Sequence, residues 1–143
     1  MEKRARVPDN RRLSHGGLLS GGSALILDRV NALLEDSHDP VDHETLLQIE
    51  RTLTDGYARA LALEGERLRI EREIESVTSA INEGNSNRRA QELALLARRR
   101  AKVDGDLNHL RSRLELLRMR ARQARASLPQ PVVPRVRAAG ADA

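Results

Sequence analysis

Between Leu46 and Ile81 the apolar positions fall at alternating steps of three and four: Leu46, Ile49, Leu53, Gly56, Ala60, Leu63, Arg67, Ile70, Ile74, Val77 and Ile81. That spacing is the a/d seam of a coiled coil, in which one stripe of each helix faces a partner helix. A second seam runs through Leu93, Leu96, Arg100, Val103, Leu107, Leu110, Leu114, Leu117, Ala121, Ala124 and Leu128 without a break in phase. Gly84 and Asn85 stop the first run, as residues that accept the left-handed conformation at a helix end, and Pro129 stops the second because its ring cannot continue a helix. The pattern predicts two long helices, 40–83 and 87–128, each about 60 Å in length. A connection of about four residues leaves them no arrangement but antiparallel neighbours.

Ahead of the hairpin, Ile26, Leu27, Val30, Leu33 and Leu34 follow helical spacing after Ser23, a good N-cap, and Ser37-His38-Asp39-Pro40 ends the run. This predicts a short amphipathic helix over 24–36. Asp39-Pro40 then reads as the start of the first long helix, with Asp39 as cap, Pro40 at the first position and Asp42 accepting from backbone N–H groups. Residues 1–22, with four Gly and no helical period, and residues 129–143, opening on Pro129-Gln130-Pro131, read as flexible tails. The expected fold is all-α: a helical domain over 23–128 built as a long antiparallel coiled-coil hairpin, with the short helix before it.

Folding the seams about the turn pairs Leu63 with Leu107, and also Gly56 with Leu114, Ala60 with Leu110 and Ile49 with Ala121, so at several layers small faces large as close packing requires. The same register sets Glu64 near Arg111, Glu50 near Arg125 and Tyr57 under Arg118 for a cation–π contact. It also brings together two like-charged pairs, Glu71 with Asp104 and Arg59 with Arg113. Arg67 and Arg100 occupy seam positions where Leu is usual, and each costs stability unless its head reaches solvent or a carboxylate such as Asp104 or Glu71.

Charge separates the two long helices. Residues 23–86 hold 14 acidic and 6 basic side chains, net −8, and residues 87–128 hold 4 acidic and 12 basic, net +8. Opposite signs favour the antiparallel pairing, each exposed pair contributing a few tenths of a kcal/mol. Arg111, Arg113, Arg118, Arg120, Arg122 and Arg125 nevertheless outnumber the acids opposite them, which makes this open end of the hairpin the candidate site for an anionic partner: an acidic protein surface, a nucleotide or a nucleic-acid backbone. Nucleic acid is the weaker of these expectations. Basic residues in the tails, such as Arg4, Arg6, Arg135 and Arg137, favour it, but the acidic companion helix repels phosphate and no aromatic residues interleave the arginines.

Composition removes several kinds of chemistry. The chain of 143 residues has no Cys, Trp or Phe and one Tyr, which excludes disulfides and thiolate metal sites and nearly excludes base-stacking surfaces. His38 and His43 flank Asp39 and Asp42, but the capping role of Asp39 and the intervening Pro40 argue against a metal site. Gly16-Gly17 and Gly21-Gly22 follow no strand and precede no Lys-Ser/Thr, unlike a phosphate-binding loop. No nucleophile, base and orienting group recur at catalytic spacing, so neither a catalytic residue, a metal nor a cofactor is expected. Those glycines and Asp28 also interrupt the early apolar run, and no segment has the length of a membrane span, so a cytoplasmic protein is expected. The excess of Arg, 23 against two Lys, suggests a GC-rich bacterial genome.

In overall architecture such a chain is similar to the actinobacterial anti-sigma proteins that bind cyclic di-GMP on an antiparallel coiled coil. Their signature, Glu-x3-Ser-x2-Arg-x3-Gln-x3-Asp, begins at Glu75-x3-Ser79 but meets Asn82 in place of Arg, and Ser112 follows Asn108 in place of Glu. The resemblance therefore brings no site residue with it. What the residues themselves suggest is a surface: Leu47, Leu61 and Leu68 on the first long helix, and Leu95, Leu116 and Met119 on the second, lie off the seams, where two helices cannot cover them. An exposed apolar stripe on a rod marks an interface, so the expectation is a non-enzymatic interaction or regulatory protein that binds a protein partner and forms a homo-oligomer. Nucleotide or nucleic-acid binding at the Arg-rich end is the alternative.

Overall fold

The computed structural model describes residues 15–81 and 84–129, with side chains from residue 21 onward. Three helices follow one another: α1 (His15–Glu35), α2 (His43–Ala80) and α3 (Ser86–Ser127). Among the described residues there is no strand, and no helix is long and apolar enough to cross a membrane. The fold is all-α, as the two seams require.

The seam residues form the core. Leu46, Ile49, Leu53, Gly56, Ala60, Leu63, Ile70 and Val77 of α2 are buried, as are Leu96, Val103, Leu107, Leu110, Leu114, Leu117, Ala121 and Ala124 of α3. Both long helices run unbroken through Gly56, Gly65 and Gly105. Each of these glycines lowers intrinsic helix propensity by about 1 kcal/mol relative to Ala, which the burial of neighbouring seam side chains offsets. At Gly56 the missing side chain is a requirement of packing: an added Cβ would overlap Leu114, meeting its Cδ1 at 3.2 Å and its Cγ at 3.3 Å. Gly56 therefore sits opposite Leu114 in the expected register. Gly65 and Gly105 have open space where a Cβ would go.

Helix boundaries depart from expectation at three places. First, α2 begins at His43, and its N-cap is Asp42, whose side chain accepts from the Thr45 N–H at 2.7 Å. Val41, 8% exposed, is drawn into the core ahead of that cap, so the chain spends Asp39 to Val41 reaching the hairpin before it turns helical. Second, α2 ends at Ala80 rather than 83 and α3 starts at Ser86 rather than 87; between them Gly84 stands at φ 113° and Asn85 at φ 59°, and Asn85 caps α3 through its backbone conformation with no side-chain hydrogen bond. Third, α1 is longer than the predicted 24–36 helix and starts within the expected tail. Ser23 lies inside it, 6% exposed, with its hydroxyl accepting from Arg59 Nε at 2.8 Å. Support from α2 at Gly22 and Ser23 lets the helix extend through residues that lack an apolar period. Residues 1–14 and 130–143, where the rest of the expected tails falls, lie outside the described residues.

α1 packs across the open end of the hairpin and touches both long helices. Val30 is fully buried there, with Ile26, Leu27, Leu33 and Leu34 packed around it. Arg29 spans to Asp55 at 2.9 Å and to the buried Thr52 hydroxyl at 3.2 Å, while Arg120 of α3 donates to the carbonyls of Leu34, at 3.5 Å, and Asp36. These contacts run α1 antiparallel to α2 and parallel to α3. The molecule has three helices in section at its open end and two towards the turn.

Candidate functional site

With the seam positions written as a and d, the remaining letters assign each charged side chain to a face. Positions e of both long helices border one groove of an antiparallel pair, and positions g border the other. On the e face, Arg125 donates to Glu50 Oε1 at 3.1 and 2.6 Å and Arg111 pairs with Glu64, both as the register demands. On the g face, Arg99 meets Glu73 at 4.0 Å, and Thr52, Arg59 and Arg120 receive α1. α1 therefore covers the g groove at the open end and leaves the e groove uncovered.

This division splits the arginine cluster. Arg111, Arg118 and Arg125 at e and Arg122 at the neighbouring b position belong to the uncovered face. Arg113 and Arg120, at g, belong to the face that α1 covers. Arg120 is committed within the chain: it caps the C-terminal carbonyls of α1, where the helix dipole favours a cation. Arg118 reaches Glu115 at 3.7 Å. Arg122 makes no ion pair with the described residues. Together Leu53, Tyr57, Arg118, Ala121, Arg122 and Arg125 line a shallow groove of about 290 Å³, which brings Tyr57 and Arg118 to one place as the sequence predicts. The separation of the six arginines is readable from their heptad letters, since positions e and g, two residues apart, fall on opposite sides of the seam.

The seam arginines show how the like-charged pair Glu71 and Asp104 is accommodated. Arg100 lies 3.1 Å from Glu71 and 3.9 Å from Asp104, and Arg67 lies 3.8 Å from each of the same carboxylates. Two cations thus alternate with two anions, and the expected clash of Glu71 with Asp104 does not arise. Arg67 Nε remains buried without a hydrogen-bond partner, a cost that apolar seam residues would not carry.

Beside Arg120, the link from α1 to α2 forms a second cleft of about 340 Å³, lined in part by Asp36, His38 and Arg120. The His38 ring bonds the Asp36 carboxylate, which lowers the Asp36 pKa and raises that of His38. Asp42 is held low by its hydrogen bonds from Thr45. These are capping and linking roles, and among the described residues no three His, Cys, Asp or Glu side chains gather as a metal site would need.

The leucines expected at an oligomer interface are all exposed: Leu47, Leu61 and Leu68 on α2, Leu95 and Leu116 on α3, with Met119. They do not form one surface. Leu47, Leu61 and Leu68 occupy b positions on the flank of α2 away from α1, whereas Leu95 and Leu116 occupy c positions of α3 on the side of the g groove. A stripe exists on α2 alone. Compared with protein-family models, curated proteins and solved structures, the chain matches none.

Proposed function

We propose that this protein is a non-enzymatic coiled-coil interaction protein, regulatory in role, which binds a protein partner and self-associates. The observation that carries the reading is the free flank of α2, where Leu61 is 69% and Leu68 46% exposed on the side that α1 leaves bare. A hairpin with one face strapped by its own helix and one flank left apolar has the layout of a scaffold for another helix. Light scattering on the full chain tests it: a mass above the 15.9 kDa of one chain is expected. A monomer at micromolar concentration would remove self-association from the reading.

A second reading rests on Arg122, which makes no ion pair with the described residues and lies beside Tyr57, Arg118 and Arg125 in the open groove. Guanidinium groups around an aromatic ring suit a nucleotide, with phosphate held by arginine and the base against tyrosine. Titration with fluorescent nucleotides at low ionic strength should then show binding that weakens with added salt and is lost in Arg118→Ala plus Arg122→Ala. No binding at low salt would end this alternative.

A further inference from the structure

The free flank of α2 carries more than scattered leucines. Thr54, Ala58, Leu61, Gly65, Leu68 and Arg72 follow one another at alternating steps of four and three, which makes a second seam on the back of a helix whose first seam is already used by α3. All of them but Gly65 are exposed, and Gly65 has open space beside it. Arg51 and Glu75 extend this seam by one step at either end, both exposed and neither in an ion pair with the described residues.

We propose that a second copy of this chain docks here, α2 against α2, antiparallel about a two-fold axis that passes near residue 63. The proposal rests on the self-association reading and deepens it. Two complementarities select the arrangement. In size, Leu61 faces Gly65 of the second copy and Leu68 faces Ala58, and the symmetry repeats both fits, so each leucine enters the gap left by a small residue. In charge, Arg51 faces Glu75 of the second copy, and the neutral Thr54 spares Arg72 a like-charged neighbour. Sliding the copies by one heptad destroys the match: one direction sets Leu61 against Arg72, the other Leu68 against Arg51. A parallel pairing sets every residue against itself, Arg51 on Arg51 and Glu75 on Glu75. Of these arrangements, the antiparallel register centred near residue 63 sets both leucines against small residues and Arg51 against Glu75. Leu47, one step beyond Arg51, faces Ser79 of the second copy, whereas Leu95 and Leu116 take no part.

Because the chain has no cysteine, single thiols report the register without background. Thr54→Cys and Arg72→Cys are peripheral changes on an exposed surface. In this arrangement Thr54 lies across from Arg72 of the second copy, within reach of a disulfide, while the two copies of residue 54 are about 27 Å apart along the rod, as are the two copies of residue 72. Full-length Thr54→Cys mixed with full-length Arg72→Cys should oxidise to a cross-linked dimer, while each alone stays uncrosslinked. Cross-linking of either variant alone would overturn the arrangement in favour of a parallel or shifted one. A wild-type dimer with no cross-link in the mixture would overturn the arrangement and leave self-association standing, and a wild-type monomer would overturn both.

Discussion

Gly56→Ala should destabilise the protein by about 1–3 kcal/mol, the usual cost of forcing extra volume into a packed core, although alanine is the better helix former. The new methyl group would occupy space held by Leu114. Leu114 is 1% exposed and cannot swing into solvent, so either its rotamer or the spacing of α2 and α3 must give. For a domain of this size that amounts to several degrees in Tm. Gly105→Ala is the control: it has open space and lies outside the proposed contact between copies, and it should raise stability by up to about 1 kcal/mol through helix propensity and a less flexible unfolded chain. Chemical denaturation of the two variants decides it. Equal gains at both positions would show that Gly56 is not at the close approach of the two helices.

Val30→Asp should release α1 from the hairpin while leaving the rod towards the turn intact. Val30 is fully buried where α1 packs on the hairpin, and the two arginines that tie α1 down are already engaged, Arg29 by Asp55 and Thr52 and Arg120 by the end of α1. An unpaired buried charge costs several kcal/mol, more than a docked helix of this length is expected to retain once its central contact is lost. Amide hydrogen exchange should show residues 23–35 losing protection, while residues near Ile70 and Val103 keep theirs. Unchanged protection across α1 would mean that its seat does not depend on Val30.

How far the sequence could be read depended on how local each determinant is. The two seams were legible because one periodic signal repeats over ten layers, and the register followed because Gly56 fits only against a large residue and Glu50 and Glu64 need Arg125 and Arg111. The cap of α2 is Asp42, three residues beyond the Asp39 that local sequence favours. Asp39-Pro40 and Asp42 are both acceptable starts, and the choice was made by Val41 entering a core that local sequence does not reveal. The early start of α1 was hidden for the same reason: Gly21 and Gly22 look like breakers until Arg59, 36 residues on from Ser23, supplies a partner. Among candidate site residues, exposure of the leucines was legible from their absence from the seam. Their grouping was not, because Leu116 and Leu61 share a residue type but not a face, and Arg120 shares its charge with Arg122 but is consumed by α1.

If the bare flank of α2 is the working surface of this protein, charge placed on it must separate the copies and nothing else. Sedimentation equilibrium of the full chain, wild type beside Leu61→Glu plus Leu68→Glu, measures this directly. The wild type should fit a reversible equilibrium whose larger species has twice the 15.9 kDa chain mass. The variant should sediment as one chain, with the helical circular dichroism of the wild type retained. A wild type that stays at 15.9 kDa throughout, or a variant that remains a dimer, would contradict the account.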